Sequence, residues 1–263
     1  MNLKEIKSCY LGPEVSPEEF IAEHLFLYLI RGKMVGYDGD KQYTLSPGEC
    51  ILVRKNHLAR YNKQKVNDVF EKVVVIFDEA FLLEQFKMKP IITPAANIQS
   101  SFLPIDKSAI VDHYIESLSD GQDHEGQIKP QIAETKRVEL LQILLNLHPE
   151  YAGILFDFGK PGKIDLKAFI QKNYKFNVST ERLAFLTGRS ISAFKRDFKI
   201  IFRETPSRWL VQRRLEEAYY LLKYKKMQVI DIYLDLGFED LSHFSYAFKK
   251  KFGISPSHLN PVI

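Results

Sequence analysis

Cysteine is nearly absent. Cys9 and Cys50 are the only two in 263 residues, with no C-x-x-C pair and no Cys/His cluster, which argues against a disulfide scaffold or a structural zinc. Both thiols are read as reduced and structural. Metal chemistry lacks its ligands too: a cupin-type enzyme needs two or three His and a carboxylate converging on one ion, whereas His24 and His57 stand alone with no H-x-H. There is also no nucleophile elbow, P-loop, H-E-x-x-H or dinucleotide fingerprint. No catalytic residue, metal or cofactor is therefore assigned, and the chain is not expected to be an enzyme. No apolar run approaches the roughly 18 residues of a membrane span, and the opening MNLKEIKSCYLGPEVS has no apolar core of a signal peptide. A cytoplasmic protein with no membrane partner is expected.

What the chain does have is length for two domains and a polarised charge. Residues 163–263 hold 19 Lys and Arg against 10 Asp and Glu, a net of +9, while the remainder holds 18 against 23, a net of −5. An acidic body joined to a basic end is the footprint of one domain that meets nucleic acid and one that does not.

Residues 24–77 alternate short apolar runs with turn residues: HLFLYLI, RGKMVGYDGDKQYTL, SPGECILV, a polar break, then VFEKVVVIF. This pattern predicts a small β-barrel or sandwich. A barrel interior offers a ligand site, for which Arg31, Arg54, His57, Arg60 and Tyr61 are the candidates to hold an anionic effector. Beyond residue 77 the period lengthens. Asp78 is expected to cap a short helix, residues 91–103 read as loop, and Asp106 is expected to cap a helix through Tyr114 and Leu118. A break at residues 121–126 precedes a helix over residues 131–147. That helix sets Val138, Leu141, Leu144 and Leu145 on one side, either as intrachain core or as a homodimer surface. The segment GILFDFGKPG, residues 153–162, is read as the linker. Residues 1–152 then form the N-terminal domain and residues 163–263 the C-terminal one.

The C-terminal part carries one unit written twice. Phe194, Phe198 and Phe202 recur fifty residues later as Phe244, Phe248 and Phe252, and the same offset takes Ser192 to Ser242, Lys199 to Lys249 and Pro206 to Pro256. In each copy a short helix, a turn at Gly188 or Gly237 and a second helix form a helix-turn-helix unit, over about residues 179–202 and 229–252. With the Phe stripe buried, the opposite side of each second helix points outward. Ser192, Ala193 and Arg196 in one copy, and Ser242, His243 and Tyr246 in the other, are placed to read bases. Lys195, Lys199, Ser245, Lys249 and Lys250 are placed to hold phosphates. Between the units, residues 205–223 predict one helix of roughly 28 Å, comparable to the roughly 34 Å between successive major grooves on one face of DNA. One chain would then read two unlike half-sites.

The run LAFLTGRSISAFKRDFKIIFRETPSRWLVQRRLEEAYYLL, and above all GFEDLSHFSYAFKKKFGISP, resembles the DNA-binding domain of AraC/XylS-type transcriptional regulators. The resemblance implies a transcription factor, usually an activator, that binds double-stranded DNA at an asymmetric promoter site and works with RNA polymerase. It also implies a cupin-like N-terminal barrel with dimerising helices, answering to a small-molecule or protein effector. The chain departs from the pattern at Arg203, where Gly is usual, at Tyr233, where a small Ala is usual, and at Leu259-Asn260, where Tyr-Arg is usual.

Overall fold

The computed structural model describes residues 7–8, 19–90, 100–118 and 130–259. It divides into two units, Met1–Gly159 and Lys160–Ile263.

The first unit is rich in sheet. Its strands are β1 (Lys7–Ser8), β2 (Phe20–Ile21), β3 (His24–Arg31), β4 (Lys33–Tyr37), β5 (Gln42–Leu45), β6 (Cys50–Val53), β7 (His57–Leu58), β8 (Arg60–Gln64), β9 (Glu71–Phe77) and β10 (Phe102–Ile105). A five-stranded sheet runs β1-β9-β3-β6-β10, a three-stranded one β5-β4-β8, and β2 pairs with β7. The five-stranded sheet is covered on both faces, and the period of two shows how. Leu27 and Leu29 of β3, with Ile51 and Val53 of β6 and Phe102 of β10, pack on Met34 and Leu45 of the three-stranded sheet. The intervening Phe26, Leu52, Leu103 and Ile105 turn the other way, onto helices. Burial on both faces explains why CILV is an unbroken apolar run rather than an alternating one.

Those helices are α1 (Glu79–Met88), α2 (Ala109–Ser117), α3 (Pro130–Leu147) and the short α4 (Ala152–Leu155). Asp78 caps α1 as expected, its carboxylate accepting from the Phe81 N–H at 2.9 Å. Asp106 does not cap α2: Ser108 occupies the cap position, without a side-chain bond. In α3, Leu141 and Leu144 are buried in the core of their own unit, with Val138 and Leu145 packed against its margin. These side chains therefore serve the intrachain packing. The expected break over residues 121–126 lies outside the described residues.

Three further differences have simple causes. Strand β10 falls where loop was expected, because Pro104 disguised an edge strand, a position that tolerates a missing N–H. Strands β7 and β8 occupy the apparent polar break, since their buried positions are Leu58, Arg60 and Lys63, residues whose stems pack as apolar groups do. The expected linker begins too early: Ile154 and Leu155 are core residues of the first unit, and Phe156 and Phe158 pack around Phe86.

The second unit is helical: α5 (Leu166–Asn173), α6 (Thr180–Leu186), α7 (Ile191–Phe202), α8 (Pro206–Tyr224), α9 (Val229–Ile232), α10 (Leu241–Phe252) and α11 (Pro256–Leu259). Pro206 opens α8 at a position where its missing N–H costs nothing. Helix α9 stops at Ile232, and turns carry the chain on to Gly237.

Candidate nucleic-acid interface

Each second helix starts from a side-chain cap. Ser190 Oγ accepts from the Ala193 N–H at 3.3 Å, and Asp240 Oδ1 accepts from the His243 N–H at 2.6 Å. Both helices end in a left-handed residue, Arg203 in the first copy and Gly253 in the second. Between cap and end the Phe rows are core: Phe194, Phe198, Phe244 and Phe248 are fully buried. Their rings run as ladders, Phe198 to Phe202 at 4.4 Å and on to Trp209 at 4.4 Å in one copy. In the other, Phe248 meets Phe252 at 4.7 Å, which meets Tyr219 at 4.8 Å. Helix α8 thus backs both units, through Trp209 and through Tyr219.

With one side of each helix fixed inward, the other is fixed outward. Ser192, Lys195, Arg196 and Lys199 on α7 are exposed and Ala193 is half-buried. On α10, Ser242, His243, Tyr246, Lys249 and Lys250 are exposed and Ser245 is half-buried. Lys250 holds its ammonium 6.0 Å from the Tyr246 ring centroid. Lys251, next in sequence, turns away and binds Glu216 at 2.9 Å and the Gln212 carbonyl at 3.0 Å. Each outward row therefore begins with short hydrogen-bonding groups and ends with cations.

Two features escaped the sequence reading. Asp197, the one acid on α7, accepts from Arg189 Nε at 3.2 Å and from Arg196 Nη2 at 3.2 Å. The Arg189 bond, then that of Arg196, holds the Asp197 carboxyl below its usual range. The other is Arg214, buried on α8, which donates to the carbonyls of Tyr174 at 2.7 Å, Phe176 at 2.7 Å and Gly237 at 2.9 Å. Its place on the stripe Leu210, Arg214, Ala218, Leu222, an i, i+4 series, was the signal. A cation on a buried stripe demands acceptors.

Each of the five candidates for an effector site in the first unit is engaged by a neighbouring group, and Arg31 lies apart from Arg54. Arg31 ends β3 and pairs with Glu71 at 3.4 Å, whereas Arg54 follows the end of β6 that lies beside Leu25, at the opposite end of β3. Arg54 donates to the Ser100 carbonyl at 3.4 Å. His57 bonds the Lys55 carbonyl through Nδ1 at 2.8 Å. Arg60 forms a buried ion pair with Glu19. Tyr61 lies beneath the Lys72 ammonium, 5.2 Å from its ring centroid.

Known proteins match both units. Residues 24–153 match the family described as ExsA N-terminal regulatory domain, and residues 183–260 match a helix-turn-helix domain family. The chain is 21% identical over 258 residues to the HTH-type transcriptional regulator ExsA of Pseudomonas aeruginosa, covering 97% of this chain and 92% of that protein. It is 28% identical over 131 residues to the virulence regulon transcriptional activator VirF of Yersinia enterocolitica, covering 49% of this chain and 48% of that protein. Among solved structures, an apo single-residue variant of ToxT from Vibrio cholerae aligns over 97% of this chain and 93% of its own, with 15% identity and a TM-score of 0.46. With an ExsA-type regulatory domain ahead of a helix-turn-helix domain, the chain belongs to the AraC/XylS-type DNA-binding transcriptional regulators.

Proposed function

We propose that this regulator activates transcription from an asymmetric promoter site by laying α7 and α10 into two successive major grooves. The observation that carries the reading is the pair of outward rows, held on two equivalent scaffolds by one 19-residue helix, α8. At 1.5 Å per residue α8 spans roughly 28 Å, within reach of the roughly 34 Å groove repeat. Arg196 takes guanine through two N–H groups, Ser192, Ser242 and His243 make single bonds, and Tyr246 touches base or backbone. Lys199, Lys249 and Lys250 neutralise phosphates. Activation accords with the similarity to VirF, a virulence regulon transcriptional activator, and RNA polymerase is the partner such a role requires. No catalytic step is assigned to the chain.

Selection of binding sequences from random DNA with the full chain tests the paired readers: two unlike half-sites about 10 base pairs apart are expected, and a single symmetric palindrome would contradict them. Arg196→Ala should relax preference at one base position, by about 1–3 kcal/mol of lost discrimination. Equal loss on every sequence would remove Arg196 from the reading set.

A protein effector is favoured over a small molecule held between the two sheets of the first unit. The space between those sheets is filled: Phe102 is buried there against Tyr43, ring centroids 4.8 Å apart, and a Cβ on Gly36 would stand 2.8 Å from the Phe102 ring. Regulation then works through the surface of the unit. Co-purification of a stoichiometric protein that alters DNA binding would support this. Saturable binding of a small molecule with the same effect would refute it.

A further inference from the structure

We propose that Asp197 is a positioning residue for base recognition, one that orients Arg196 before DNA arrives and so sets the specificity of the first reading helix. The inference rests on the reading of Arg196 as a base reader and deepens it.

Arg196 has the longest side chain of the assigned readers, with the most rotatable bonds, and it is 70% exposed. A guanidinium carries five N–H donors in a rigid fork. Asp197 Oδ1 takes one edge of that fork, accepting from Nε at 3.3 Å and Nη2 at 3.2 Å. No protein acceptor among the described residues engages Nη1. The outer end of the fork, Nη1 with the second hydrogen of Nη2, stays available for the O6 and N7 of guanine, the pair that Arg reads bidentately. One carboxylate thus orients the fork without consuming the donors that recognition needs.

The carboxylate is itself anchored. Its other oxygen, Oδ2, accepts from Arg189 Nε at 3.2 Å. Arg189 is nearly buried and is fixed in turn by bonds from Nη1 to the carbonyls of Thr187 at 2.7 Å and Ile164 at 3.0 Å. The chain of contacts runs from the backbone of the first turn, through Arg189 and Asp197, to Arg196.

The repeat supplies an internal comparison. Fifty residues on, Arg189, Asp197 and Arg196 become Glu239, Ala247 and Tyr246. All three members are present in the first copy and all three are replaced in the second. Where the reader is a Tyr ring, with few rotatable bonds, no orienting carboxylate accompanies it. A carboxylate serving only the scaffold would be expected in both copies, because the Phe scaffold is common to both.

Asp197 also costs something, since a negative charge beside DNA opposes binding to any sequence. Its benefit must lie in discrimination. The experiment uses the full chain and duplexes varied at each position of a selected site, with wild type, Asp197→Asn, Arg196→Ala and the double variant. Asparagine retains an oxygen for Arg189 and removes the charge. Asp197→Asn should lower discrimination about 2- to 10-fold, the equivalent of ordering one rotamer-rich side chain, at the one position where Arg196→Ala loses preference. It should leave the second half-site unchanged and raise affinity for unrelated DNA. In the Arg196→Ala background it should cost no further discrimination.

Three results would overturn the proposal. One is unaltered discrimination at that position in Asp197→Asn. Another is an equal loss at all positions accompanied by a lower unfolding midpoint, which marks a purely structural role. The third is a loss that persists in the Arg196→Ala background, which means that Asp197 does not act through Arg196. If Arg196→Ala itself shifts no base preference, the reader assignment fails first, and the two failures are separable.

Discussion

Gly237 forms the turn of the second helix-turn-helix unit with φ of +77°, and Gly253 ends α10 with φ of +76°. The backbone angles are the same; the surroundings are not. A Cβ on Gly253 would meet nothing within 4 Å, whereas one on Gly237 would stand 2.4 Å from the Lys175 carbonyl oxygen and 3.0 Å from Arg214 Cζ. For Gly253→Ala only the conformational terms apply. The left-handed conformation costs about 1–2 kcal/mol, offset by about 0.4–1 kcal/mol from the stiffer unfolded chain, leaving a loss of about 1 kcal/mol. For Gly237→Ala the Lys175 carbonyl is backbone and cannot swing aside, so Arg214 must yield. Each of its bonds to a carbonyl is a hydrogen bond to a charged group, worth about 1.5–3 kcal/mol. Loss of one takes the total to about 3 kcal/mol or more. Trp209 is the only tryptophan in the chain and lies in the second unit, so its fluorescence follows that unit during urea unfolding of the full protein. With a slope of about 2 kcal/mol/M, the midpoint should fall by about 0.5 M for Gly253→Ala and by about 1.5 M for Gly237→Ala. Equal shifts for the two would refute the crowding at Gly237 and with it the role of Arg214 as the support of that turn.

Three further outcomes are expected. Lys249→Ala should weaken binding to all DNA sequences alike and lower the salt slope by about 1, measured by titrating affinity against salt; a change confined to one base position would reassign it as a reader. Arg203→Gly should stabilise the second unit by about 0.5 kcal/mol, because relief of the left-handed residue, φ 59°, exceeds the added freedom of the unfolded chain, and so raise its urea midpoint by about 0.25 M. His24 is buried with its pKa lowered to about 3, by desolvation first and then by Lys55 and Arg54. The native state therefore binds fewer protons than the unfolded one between the ordinary value of 6.5 and about 3, so stability of the first unit falls as pH drops through that window. Hydrogen exchange of β3 should quicken from pH 6 to pH 4 beyond its intrinsic pH dependence, and His24→Gln should flatten the difference.

The helical unit was legible because its chemistry is periodic and local. The turns at Gly188 and Gly237 and the Phe rows at i, i+4, i+8 each follow from short-range rules, and the fifty-residue repeat tested each rule twice. The sheet unit was legible only where burial coincides with apolar residues. Strands β3, β6 and β9 were plain; β8 was hidden because its inward positions are Arg60 and Lys63, and β10 because of Pro104. Polar residues that a fold buries through their stems or ion pairs look like loop until the partner is seen. For Arg60 that partner is Glu19, 41 residues away in sequence. Arg31 and Arg54 fall at opposite ends of β3 for a related reason: sequence order says which residues are polar and not which end of a strand they occupy.

Helix α8 shows where repetition stops informing. The helix-turn-helix units occur twice but α8 once, so it must meet both Phe rows with different residues, Trp209 for the first and Tyr219 for the second. Ten residues separate them, roughly 15 Å along the axis, and no fifty-residue offset links the two. Between them, on the same helix, lies Arg214. Its three carbonyl partners belong to the connection after α5 and to the turn at Gly237, so it ties the entrance of the domain to its second unit. A repeat needs one element outside the repeat to set the spacing of its copies. In this chain that element carries the buried Arg214, the single tryptophan and a length of roughly 28 Å. The asymmetry expected of its DNA site begins in α8 as much as in the differing outward rows.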